Sequence, residues 1–173
     1  MQRRRLDQVL EPSFVADLDA VDLDELRDRR AQADDVETEL SYYRRMLHGR
    51  MDLLAFEMRR RSGEETRTLL EALPEILGGG DSRGEGAQHR PGSLAPDLPL
   101  EGHRTIDRVL DDDFLSRLPS LSDEEVAEIQ ETLSETEQEV SGQRRQVQAA
   151  FDQIQAEILR RYKEGKAETE IIG

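Results

Sequence analysis

An all-α protein, with two long helices paired as an antiparallel coiled coil, is the fold that this sequence predicts. Three observations carry the expectation. Only 35% of the 173 residues are AVILMFWYC and 4% are aromatic, against about 45–50% apolar, Gly included, in ordinary globular domains. So few large side chains cannot fill a thick mixed core, whereas a helix pair needs only a narrow seam. Two stretches, 22–62 and 122–164, contain no Pro and no run of Gly. Both carry apolar residues every seventh position, as a coiled-coil seam requires.

The elements follow from a repeat. Comparing residues 6–62 with 106–162 gives 15 identities in 57 ungapped pairs. Asp7-Gln-Val-Leu10 recurs as Asp107-Arg-Val-Leu110, Phe14 as Phe114, Leu18 as Leu118, and Glu57 with Arg60-Arg61 as Glu157 with Arg160-Arg161. The first repeat spans 1–77 and the second 103–173, each opening on a short apolar segment (6–18, 106–118) of one or two helical turns. In that segment Phe14 and Phe114 are expected to staple the start of the long helix.

Each long helix then has its own start signal. Ser122-Asp-Glu-Glu125 is a capping box, and Asp22-Leu-Asp-Glu25 is a weaker version of it. Leu26, Ala33, Leu40, Leu47 and Leu54 form one seam; Val126, Leu133, Val140, Val147 and Ile154 form the other. Val36, Tyr43, Met51 and Met58, and Ile129, Thr136, Phe151 and Ile158, are expected at the alternate seam positions, with Tyr42 packing beside them. Residues 64–77 read as a short amphipathic helix (Leu69, Leu70, Leu73, Ile76) cut by Pro74. Residues 78–102 are rich in Gly, Pro and polar side chains and read as a flexible linker long enough for a hairpin. The arginines at 59–61 suit the negative end of the helix dipole.

Composition also excludes functions. Without Cys there is no disulfide, thiol chemistry or Cys-based zinc site. His89 and His103 have no ligand cluster around them, so no metal is expected. No nucleophile–base pair or phosphate-binding Gly loop is present, which argues against an enzyme. The chain lacks an apolar run long enough to span a membrane, and Met1-Gln-Arg-Arg-Arg leads into no apolar signal core, so a cytoplasmic protein is expected. A net charge of −15 opposes direct binding to DNA or anionic lipid and suits a partner with a basic face.

A polar stripe lies beside each seam. Glu37, Ser41, Arg44, His48 and Asp52 step by four, three, four and four; Glu137, Ser141, Arg144, Gln148 and Asp152 do the same. At 3.6 residues per turn, each set occupies an arc of about 80° over about 22 Å of helix. Any charged face could be a solvated one, braced by pairs such as Glu37 to Arg44 through Ser41. A solvated face, however, has no need for the same side-chain types in the same order twice. Neighbouring positions have drifted (Tyr42/Gly142, Arg50/Ala150).

Glu-x3-Ser-x2-Arg-x3-Gln-x3-Asp, once per long helix of a helix pair, resembles the signature of the RsiG-type anti-sigma factors of actinobacteria. The second helix matches at all five positions, and the first departs at His48, where the pattern has Gln. The resemblance covers the paired helices, about half the chain. It implies that the ten motif residues bind cyclic di-GMP, two molecules per chain, and that the loaded coil sequesters a WhiG-type sporulation or flagellar sigma factor. The chemistry suits that ligand. Guanine O6 and N7 accept from a guanidinium, and its N1–H and N2–H₂ donate to a carboxylate. Arg44 and Arg144 can also stack on a purine or contact phosphate. Ser41, Ser141, Gln148 and His48 would then hydrogen-bond to phosphate, ribose or base edges. A structural coiled-coil adaptor that binds protein without nucleotide is the competing reading.

Overall fold

The computed structural model describes residues 2–78 and 114–172. Among them there is no strand. Helix α1 is Gln2–Leu10, followed by 3₁₀ turns at Pro12–Val15 and Leu18–Ala20. The long helix α2 is Leu23–Ser62 (40 residues), and the shorter α3 is Leu69–Gly78. After the linker come α4, Phe114–Arg117, a 3₁₀ turn at Leu118–Ser120, and the second long helix α5, Asp123–Ile172 (50 residues). Nearly all of the expected linker, with His89, His103 and the start of the second repeat, lies outside the described residues.

The local signals act as expected. Ser122 Oγ accepts from the Glu125 amide at 3.1 Å, while the Glu125 carboxylate accepts from the Ser122 amide at 2.8 Å, a closed capping box. In the first repeat Asp22 Oδ1 caps the Glu25 amide at 2.8 Å, with no return bond from Glu25. Helix α3 departs from expectation, since Pro74 lies inside it and does not end it. Its start is held by a Thr68/Glu71 capping box and by the buried Ala72, which offset the one amide that Pro74 lacks. Leu70 points outward, 82% exposed.

The structure divides into two compact units, Met1–Ser41 with Ser141–Gly173, and Tyr42–Val140. Each holds one end of both long helices, and each shows the same antiparallel pairing. In the first unit Arg27 reaches Tyr162, Arg30 reaches Gln155, and Glu37 reaches Arg144, so α5 numbers fall as α2 numbers rise. In the second, Arg44 reaches Glu137 and Arg61 reaches Asp123, in the same sense.

All ten residues of the heptad seams are buried. Val36, Tyr43, Thr136 and Ile158 of the alternate positions are buried too, while Ile129, Phe151 and Met51 are half-covered. Met58 is not a seam residue, because Leu53, Phe56 and Glu57 take the buried positions in the last turns of α2 and leave it exposed. Tyr42 likewise faces solvent, one residue round the helix from buried Tyr43. Phe14 and Phe114 are buried, as staples should be. The guanidinium of Arg29 lies 5.9 Å from the Phe14 ring and that of Arg50 lies 5.3 Å from the Phe114 ring, within cation–π range.

Candidate functional site

The polar stripe assembles in each unit through side chains from both long helices. In the first unit Glu37 Oε1 is the focus. Ser41 Oγ donates to it at 2.8 Å, Arg144 Nε at 2.7 Å and Gln148 Nε2 at 3.3 Å. The Arg144 Nε–H is shared, since Ser41 Oγ lies 2.7 Å from the same nitrogen. A hydroxyl can donate to one neighbour while accepting from another, and Ser41 does both. In the second unit Glu137 Oε1 takes the same part. Arg44 Nε donates to it at 3.0 Å, and His48 Nε2 lies 3.0 Å away.

The motif glutamate of one helix therefore holds the motif arginine of the other. Of the pairing expected within a helix, the step from Ser41 to Glu37 is present, while Arg44 donates to Glu137 of the other helix. An antiparallel pair opposes the start of one motif to the middle of the other, so the carboxylate finds a guanidinium across the seam. Burial is partial at both places. Glu37 and Arg144 keep 24% and 31% of their side-chain surface, and Glu137 and Arg44 keep 18% and 41%. Arg144 is anchored by Nε alone, and its two NH₂ groups have no partner among the described residues. Asp52 and Asp152 are exposed at the far end of each stripe and join neither carboxylate cluster.

A second duplicated arrangement was hidden in the repeat. Arg161 Nε bonds Glu157 Oε1 at 2.7 Å, and its Nη2 donates to the carbonyl oxygens of Leu18 (2.7 Å) and Asp19 (3.1 Å). Arg61 Nε bonds Glu57 Oε1 at 2.8 Å, and its Nη2 donates to the Leu118 carbonyl at 3.1 Å. Each arginine thus ties a long helix to the short segment that precedes the other long helix. Two hydrogen-bonded guanidiniums, Arg160 first and then Arg161, hold the Glu157 carboxyl at about 2, well below its usual range. Glu57 is lowered for the same reason, by Arg60 most and against the opposing effect of burial. The recurring Glu-x2-Arg-Arg was the available signal, and helix-dipole complementarity alone did not bring it out.

No described helix is long and apolar enough to cross a membrane. Among the described residues no group of His, Asp and Glu could hold a metal ion. The family model of RsiG-like proteins matches residues 12–77 and 112–172, more than two-thirds of the chain.

The chain belongs to the RsiG-like family.

RsiG-like proteins form a family of regulatory anti-sigma factors, not of enzymes. The two matched segments contain α2 and α5 with the short segments before them, and they leave out 78–111. In this RsiG-like chain the matched segments also hold all ten residues of the two stripes. No curated protein matches the chain.

Proposed function

We propose that this RsiG-like protein is an anti-sigma factor that binds cyclic di-GMP through its two motifs and, once loaded, sequesters a WhiG-type sigma factor. The arginine geometry is the observation that supports the nucleotide most. A guanidinium held through Nε by a carboxylate and a hydroxyl is fixed in orientation, and its parallel NH₂ groups suit the O6/N7 edge of guanine or a phosphate. Preorganisation of this kind lowers the ordering cost of binding. Asp52 and Asp152, without a partner among the described residues, are carboxylates available to the N1–H and N2–H₂ donors of guanine, which adenine does not offer. The ligand, two molecules per chain by family resemblance, would fix the paired stripes in the form that the sigma factor recognises. The acidic surface then covers basic faces that the sigma factor uses for polymerase or promoter DNA.

Calorimetric titration of cyclic di-GMP, with GTP and cyclic di-AMP as controls, tests the reading on the chain alone and with a WhiG-type sigma factor present. Saturable binding near two per chain, absent for both controls and lost in R44A/R144A with helicity intact, is expected. Absence of binding in both settings overturns the nucleotide reading and leaves a coiled-coil adaptor.

A further inference from the structure

Arg45 and Arg145 share with Arg59, at the end of α2, a guanidinium left open to solvent, but unlike Arg59 they sit beside the two polar stripes. Both are exposed, and neither has a hydrogen-bond, ion-pair or ring partner among the described residues. Many other arginines on these helices take nearby carboxylates, as Arg29 does with Glu25, Arg61 with Glu57 and Arg160 with Glu157. Around Arg45 the positions three and four residues away are Ser41, Tyr42, His48 and Gly49; around Arg145 they are Ser141, Gly142, Gln148 and Ala149. None is acidic, in a chain with 39 acidic residues, and the pattern occurs in both repeats.

Their position is as informative as their lack of partners. Arg45 precedes Asp52 by seven residues and Arg145 precedes Asp152 by seven. Two turns of helix separate each pair, so arginine and aspartate lie on one line, about 10 Å apart, at the outer edge of the stripe. Charge gives the reason for a further cation there. Each five-residue motif carries a glutamate, an arginine and an aspartate, a net charge of −1, and its arginine is already engaged by a motif glutamate. Such a surface repels an anion. Adding Arg45 or Arg145 brings each stripe to neutrality and supplies a guanidinium that no carboxylate has neutralised.

We infer that Arg45 and Arg145 are phosphodiester-binding residues of the nucleotide site, extending each motif by one position beyond its five. The inference rests on the cyclic di-GMP reading above. The inner arginine of each stripe reads the base edge and the outer one neutralises phosphate, a division of roles that matches the anchored and open states of the two guanidiniums.

Cyclic di-GMP is titrated into the wild type, R45Q/R145Q and R45K/R145K, with and without a WhiG-type sigma factor. Both residues are exposed, so circular dichroism should show unchanged helix. The glutamine variant is expected to bind about tenfold more weakly for each guanidinium removed, and the lysine variant to recover most of the loss. The difference from wild type should shrink as salt is added. Equal affinity of R45Q/R145Q and wild type overturns the assignment while leaving the nucleotide reading standing, as does a defect confined to sigma-factor binding. A wild type that binds no cyclic di-GMP in either setting overturns both.

Discussion

His48 Nε2 lies 3.0 Å from Glu137 Oε1, and Gln148 Nε2 lies 3.3 Å from Glu37 Oε1. The imidazole thus reproduces the amide's contact despite its shorter reach, because the ring nitrogen and the amide nitrogen meet equivalent carboxylate oxygens. The contact needs the tautomer with hydrogen on Nε2, or the protonated ring. His48→Gln should therefore keep cyclic di-GMP affinity within about threefold, whereas His48→Ala, which leaves Glu137 with one donor fewer, should weaken it about tenfold. Calorimetry on the two variants decides; an alanine variant that binds like wild type would remove His48 from the site. Sequence alone placed the ten stripe residues on one face of each helix, since spacing fixes which side chains share a helix face. It did not reach their partners. Which glutamate meets which arginine depends on the stagger between two helices, and the choice between Arg44 and Arg144 for Glu37 is made across the seam.

At the scale of the element, Arg61 and Arg161 tie each long helix to the short segment before the other, and their carboxylate partners give those ties a pH dependence. The Glu157 carboxyl titrates at about 2 in the folded chain, against about 4.3 for an unperturbed glutamate. A depressed folded value means that ionised Glu157 favours the native state fully above about pH 4.5, and that this support fades as the pH falls towards 2. Arg160 is half exposed, so solvent reduces the contribution to about 1 kcal/mol. Thermal melts of wild type and Glu157→Gln should differ by a few degrees at pH 6 and converge near pH 2. A gap that persists unchanged at pH 2 would show that Glu157 acts by packing. Arg161→Ala should cost about 1–2 kcal/mol, because the Leu18 and Asp19 carbonyls lose their donor. The elements themselves were largely legible: both caps, both seams and the staples Phe14 and Phe114 follow from local pattern. Pro74 and Met58 were not. Proline's preference is weak against a closed capping box and a buried Ala72, and a heptad extrapolated to the end of α2 misses the residues that Phe56 and Leu53 displace outward.

For the molecule as a whole, the excess of 39 acidic over 24 basic residues should produce opposite salt responses in folding and in association. Within the folded chain, like charges are held closer than in the unfolded one, so self-repulsion opposes folding. The ion pairs between long-helix side chains pull the other way, but each exposed pair is worth about 0–1 kcal/mol. A net charge of −15 leaves the repulsive part dominant. Raising NaCl from about 20 mM to 500 mM shortens the screening length several-fold, and should raise the melting temperature by a few degrees. Under the proposed function, association with a sigma factor through its basic face draws on the same charge with the opposite sign. There the long-range field accelerates encounter, and screening should lower the association rate constant about tenfold over the same range, with a smaller change in dissociation. Stopped-flow mixing of the cyclic di-GMP-loaded chain with a WhiG-type sigma factor measures this directly. An association rate that is flat or rises with salt, alongside a melting temperature that rises, would mean that the acidic surface contributes to solubility alone and that recognition runs through apolar contacts.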